Sequence, residues 1–114
     1  MYGAIRSKEY AAVTAETPVN VDWLNPNGSA FMLIDVVVNL SEAATTSENI
    51  TIGSITPGST AVTEYEFDPS TTSNTSLPFR FDKLFERGSK ITVDFPNTDA
   101  NTNVVIRYME LPSS

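Results

Sequence analysis

Apolar and polar residues alternate with a period of two through most of this chain, the spacing of a strand that lays one face on a core. The longest instance is FMLIDVVVNL at 31–40, where every even position (Met32, Ile34, Val36, Val38, Leu40) is apolar. Shorter runs follow: Ile50 and Ile52 about Thr51, then Thr63, Tyr65 and Phe67 interleaved with Val62, Glu64 and Glu66. Phe79 and Phe81 flank Arg80, Ile91, Val93 and Phe95 alternate with Thr92 and Asp94, and Val104, Ile106 and Tyr108 alternate with Val105, Arg107 and Met109. Residues 10–14 and 19–23 carry a weaker version of the pattern. About eight short strands are predicted, with Met32, Ile34, Val36, Val38, Leu40, Ile91, Val93, Phe95, Val104 and Ile106 in the core.

The breaks have turn chemistry. Asn25-Pro26-Asn27-Gly28, Thr56-Pro57-Gly58 and Asp68-Pro69-Ser70 combine a proline-fixed φ with residues that suit turns. Residues 70–76 and 97–103 read as polar loops, and residues 82–87, closed by Gly88, predict a helical turn. With no internal repeat or linker, the chain reads as one all-β domain at 10–114 preceded by an N-terminal arm at 1–9. Loops of uneven length favour an antiparallel β-sandwich of jelly-roll or related Greek-key type over an up-and-down barrel.

The odd positions of 31–40 add a second expectation. They read Phe31, Leu33, Asp35, Val37 and Asn39, too apolar for a face in water. Something covers that face: another subunit, or the arm folded back. Phe31, Leu33 and Val37, with Val105, Met109 and Leu111 near the C-terminus, are the interface candidates. Tyr2 and Ile5 supply the arm's apolar contacts, and Arg6 and Lys8 its cations. A homo-oligomer is expected.

Composition removes chemistry. The chain has no histidine and no cysteine, which takes away the commonest general base, the thiolate nucleophile and the usual zinc ligands. A Ser-His-Asp triad is impossible, and neither a G-x-S-x-G elbow nor a phosphate-cradling glycine loop is present. Glu64 and Glu66 share a face if the strand is regular, the layout of a glycosidase pair, but alternation turns them outward as ordinary solvated carboxylates. Asp94, Asp99 and Asn101 are weak candidates for a hard cation, set against plain turn chemistry; no metal or cofactor is expected. Trp23, beside Asp22 and Asn25, offers either a glycan-stacking ring or a plug at one end of the core. The Asn-X-Ser/Thr triplets at 27, 39, 49 and 74 are what so Ser/Thr/Asn-rich a chain produces by chance.

Charge shapes the partner list. The net charge is −7, with no Lys or Arg between Lys8 and Arg80, and such a body opposes nucleic acid. Four of the seven cations (Arg80, Lys83, Arg87, Lys90) fall in one stretch, read as solvated loop charges or as a basic edge for an acidic neighbour. No apolar run approaches the ~20 residues of a membrane-spanning helix, and the first residues lack the apolar core of a secretory signal, so a soluble chain is expected.

The stretch Gly88-Ser89-Lys90-Ile91-Thr92-Val93-Asp94-Phe95 through Asn103-Val104-Val105-Ile106-Arg107-Tyr108 resembles the closing strands of small jelly-roll virion proteins of tailed bacteriophages. Head decoration (cement) and fibre-base modules belong to that group. The resemblance is one of texture over most of the length, and no functional residue carries over from it. It implies a non-enzymatic structural part of the virion, often trimeric, docked on a capsid or other virion protein. A carbohydrate-binding or adhesin-like sandwich is the alternative expectation.

Overall fold

The computed structural model describes residues 5–25 and 28–111, the first eight of them by backbone alone. Eight strands appear in order: β1 (Ile5–Val13), β2 (Val19–Leu24), β3 (Phe31–Leu40), β4 (Ile50–Ile55), β5 (Val62–Phe67), β6 (Ser76–Phe85), β7 (Lys90–Phe95) and β8 (Thr102–Glu110). They form two four-stranded sheets, β1-β8-β3-β6 and β2-β7-β4-β5, with every pair antiparallel. The chain crosses between sheets at each connection except the β4–β5 hairpin, which interleaves two Greek keys into a jelly roll. The residues expected as an arm are partly sheet: β1 begins at Ile5 and pairs with β8.

Inward side chains of both sheets make one core. Val36, Val38, Leu40, Ile91, Val93, Phe95, Val104 and Ile106 are buried in it as expected, joined by Val19, Val21, Ile50 and Ile52. Strand residues near one end of the sandwich form an aromatic cluster. Trp23 packs edge-on to Phe31 at 5.1 Å and against Tyr108 at 4.7 Å, while Phe31 stacks on Phe85 at 5.4 Å.

Strict alternation in β3 is broken. Phe31 and Leu33 are wholly buried and belong to the core, whereas Met32 and Ile34 are half-buried on the outer face. Past Asp35 the phase reverses and the even positions point inward. The cause is a β-bulge: Leu33 pairs with Tyr108 and Asp35 with Arg107, leaving Ile34 as an extra residue. One inserted residue exchanges the two faces of a strand. The expected core places of Met32 and Ile34, and the expected interface places of Phe31 and Leu33, are therefore swapped.

The helical turn expected at 82–87 is absent. β6 runs on to Phe85, passing through Asp82 at a φ of 48°, where Phe81 and Asp82 together span the β3 bulge. Cross-strand pairing with β3 overrides the local preference. Among the described residues the only helical element is the short 3-10 turn Pro69–Thr71, capped by Asp68.

Candidate interaction surface

Side chains directly opposite one another in an antiparallel pair share a face, so the register of β8, β3 and β6 lays out the exposed side of their sheet in rows. Met109, Met32 and Leu84 form one row; Arg107, Asp35 and Arg80 the next; Val105, Val37 and Pro78 the third; Asn103, Asn39 and Ser76 the last. Two apolar rows thus flank a charged one. Met32, Val37, Val105 and Met109 are half-buried, and Leu84 is 55% exposed.

The charged row is ordered. Arg107 donates from both Nε, at 2.8 Å, and Nη2 to the two oxygens of Asp35. Asp35 is only 3% exposed although it faces outward, because the guanidinium and the flanking side chains cover it. Its carboxylate raises the Arg107 guanidinium above its usual range, first by hydrogen bonding and then by charge. Arg80 donates to Asp82 at 2.7 Å, which likewise raises its pKa. The polar row closes with Asn39 donating to Asn103 at 2.8 Å and Ser76 to Asn39 at 2.9 Å.

Of the sequence-derived interface candidates, Val37, Val105 and Met109 lie together on this face. Leu111 is half-buried just beyond it, its backbone N–H donating to the Ala30 carbonyl. Ile5, Arg6 and Lys8 sit in β1 opposite Met109, Tyr108 and Ile106, and Tyr2 lies outside the described residues. Sequence reasoning missed Met32, Leu84 and the Asp35–Arg107 pair. A signal existed for the last: each is the lone charge within its run of apolar strand residues, and lone opposite charges on two such strands suit each other.

The neighbouring flank, between the edges of β5 and β6, is more open. A cleft of about 370 Å³ there is lined by Ser54, Val62, Glu64, Lys83, Leu84 and Phe85 among others. Glu64 accepts from Ser54 Oγ at 2.8 Å and from Lys83 Nζ at 3.1 Å. Tyr65 spans the gap further along, its hydroxyl donating to the Arg80 carbonyl and its ring packing on Phe79 and Phe81. A second bulge sets this up, since Ile52 pairs with Tyr65 and Gly53 with Thr63, leaving Glu64 out of register. A Cβ on Gly53 would lie 2.7 Å from the Val62 carbonyl, so only glycine fits. Glu64 therefore turns toward β6 while Glu66 stays exposed and accepts from Asn49. The acid–base pair that strict alternation would make is not formed.

The remaining candidates are structural. Trp23 is 2% exposed and belongs to the aromatic cluster, so it offers no ring to a glycan. Asp99 accepts from the Thr45 and Thr46 N–H groups and the Thr46 hydroxyl, which lower its pKa. In return Glu48 accepts from the Thr98 N–H and hydroxyl at 2.8 Å, so the two loops clasp each other. Asn101 Oδ1 accepts from the Ala15 N–H, and Asp94 stands on the exposed face of β7 opposite Asn20 and Thr51. Asp99 and Asn101 accept hydrogen bonds in two different contacts, and no group of acidic side chains suited to a metal occurs among the described residues. The expected basic edge is largely neutralised within the chain, with Arg80, Lys83 and Lys90 near Asp82, Glu64 and Asp22. No helix among the described residues is long and apolar enough to cross a membrane.

No family model and no curated protein matches the chain. Solved structures do. The chain is similar to the NLP core of Drosophila, whose description names pentamer formation and histone binding, with 17% identity over 92% of this chain and 97% of that one and a TM-score of 0.52. It also overlays the Yersinia pseudotuberculosis-derived mitogen with 11% identity, over 98% of this chain and 90% of that one, at a TM-score of 0.48. The first likeness supports the two-sheet all-β fold, and it supports nothing beyond the fold.

Proposed function

We propose that this chain is a non-enzymatic structural subunit that assembles with copies of itself through the outer face of β1-β8-β3-β6. The observation that carries the reading is the pair of apolar rows, Met109–Met32–Leu84 and Val105–Val37–Pro78, on either side of the Asp35–Arg107 pair. Apolar rows supply the driving force for association, and an ordered charged row between them selects orientation. The resemblance to virion accessory proteins of tailed phages makes a trimer docked on a capsid or another virion protein the specific form. The NLP core, which shares the fold, is a pentamer-former by its description, so homo-oligomers are built from sandwiches of this kind. The missing histidine and cysteine and the separated Glu64 and Glu66 support the non-enzymatic part.

Sedimentation velocity of the intact chain tests it. The expected result is an oligomer that Val105→Lys and Met109→Lys each reduce to a smaller species without changing the circular dichroism spectrum. A chain that sediments as a monomer at every concentration overturns the self-assembly reading.

One observation favours a second reading, a glycan-binding module. An open groove on the other sheet is lined by Pro18, Asn20, Asn49, Thr51, Asp94 and Pro96 among others, a mix of carboxamide, hydroxyl and carboxylate groups between proline rings. A glycan array that stays at background for the wild type removes this reading.

A further inference from the structure

The two sheets end in four edge strands, β1, β6, β2 and β5, and three of these are blunted against further pairing. β1 slips register with β8 between Tyr10 and Val13, and its regular part carries the charged residues Arg6, Lys8 and Glu9, which also discourage pairing. β5 carries the out-of-register Glu64. β6 contains Pro78, which has no N–H to give, and bends at Asp82. Bulges and prolines are the usual devices that stop an edge from recruiting another strand. β2 has neither: it contains no proline and holds one unbroken register with β7 from Val19 to Leu24. Among the described residues no strand pairs with its other side.

Its side chains indicate what would fit there. Val19, Val21 and Trp23 point into the core, and Asn20, Asp22 and Leu24 are exposed, Leu24 at 46%. We propose that β2 pairs antiparallel with β2 of a second copy about a two-fold axis through Val21. A two-fold contact is self-complementary, and this register meets the condition along its whole length. Asn20 stands opposite Asp22 of the partner subunit, carboxamide to carboxylate, on both sides of the axis. Leu24 falls opposite Pro18 of the partner subunit, which covers the exposed leucine. Val19 falls opposite the partner's Trp23 and extends the inner row. The neighbouring registers fail: an axis at Asp22 sets two carboxylates face to face, which destabilises a pair, and an axis at Trp23 sets Asp22 against the partner's Leu24. The result is a continuous eight-stranded sheet across two subunits. It uses the sheet opposite the Met32–Val37 face, so it stands independently of the assembly contact proposed above and is compatible with it.

Because the chain has no cysteine, engineered thiols report the register directly. Residues directly opposite can reach the Cβ separation of a disulfide, ~3.5–4.5 Å, whereas diagonal neighbours stand about 7–8 Å apart. Under mild oxidation the double variant Asn20→Cys/Asp22→Cys is expected to run mostly as a covalent dimer, while Asn20→Cys and Asp22→Cys alone stay monomeric on a non-reducing gel. The same dimer is expected in the background of Val105→Lys, which separates this contact from the other. Dimer from Asp22→Cys alone, or none from the double variant, overturns the proposal. As a check needing no substitution, amide exchange across residues 19–24 should slow with rising protein concentration; exchange that is independent of concentration also overturns it.

Discussion

Asp35 and Arg107 face each other across β3 and β8 at the residue where β3 bulges, with two guanidinium nitrogens on two carboxylate oxygens. The bulge that sends Val36 into the core is what turns Asp35 outward and level with the arginine. A lone carboxylate at 3% exposure would be costly, and a bidentate partner offsets much of that cost. Breaking the pair from one side should therefore cost more than removing both partners. Arg107→Met is expected to lower the urea midpoint, and Arg107→Met combined with Asp35→Leu to recover part of that loss. A double variant whose loss equals the sum of the Arg107→Met and Asp35→Leu losses would show that the pair is not coupled.

The bulge also orders the energetic weights along β3. Leu33→Ala removes a wholly buried side chain and should cost about 2–5 kcal/mol, as large-to-small core changes do. Ile34→Ala trims a half-buried side chain and should cost clearly less. Chemical denaturation of the two variants decides the matter, and the reverse order would mean that β3 alternates without a bulge.

Asn97 ties three segments together from a left-handed backbone, at a φ of 60°. Its Nδ2 donates to the Thr14 and Thr17 carbonyls, its Oδ1 accepts from Thr102, and its carbonyl accepts from the Glu16 N–H. Asn97→Gly keeps the backbone comfortable and loses the side-chain bonds. Asn97→Ala loses the same bonds and also meets the left-handed backbone's cost of about 1–2 kcal/mol, which glycine escapes and which asparagine's local hydrogen bonds offset. Both variants should melt below the wild type, alanine lower than glycine; equal melting temperatures would place the whole effect in the hydrogen bonds.

The clasp between the β3–β4 and β7–β8 loops should be sensitive to acid. Hydrogen bonds from Thr46 and Thr45 hold the Asp99 pKa below its ordinary value, and those from Ser47 and Ser70 do the same for Asp68. A carboxylate whose pKa falls on folding contributes stability above its unfolded value of about 3.9, and that contribution is lost as pH falls through the folded pKa. Thermal stability should decline below about pH 4, and Asp99→Asn should be less stable than the wild type at neutral pH with a shallower acid decline. An unchanged acid slope in that variant would remove Asp99 from the account.

The same geometry speaks to metal. Asp99 and Asn101 already accept hydrogen bonds from Thr45, Thr46 and Ala15, so neither offers a free oxygen without giving one up. Calcium or EDTA is expected to leave the melting temperature unchanged, and a sharp fall in EDTA would assign the 97–103 loop to a cation.

Period-two alternation and turn chemistry were enough to make this chain an all-β sandwich of eight strands, because those signals are local: each strand needs only its own neighbours to show which side is apolar. The buried places of Val36, Ile91, Val93, Val104 and Ile106 follow from it, and the apolar second face of the last strand was visible in Val105 and Met109. Uneven loops pointed to a jelly roll or related Greek key, but sheet order was beyond local pattern, since which strands pair depends on contacts between segments far apart in sequence. The bulges at Ile34 and Glu64 belong to that same class. Nothing in FMLIDVVVNL marks one residue as extra; the mismatch appears only when β8 pairs with β3 and Ile34 finds no partner there. That single displacement moved Phe31 and Leu33 into the core and brought Asp35 level with Arg107, and the one at β5 separated Glu64 from Glu66. Trp23 shows the same division, because an aromatic beside Asp22 and Asn25 suits a surface or a core equally, and only packing against Phe31 and Tyr108 decided for the core.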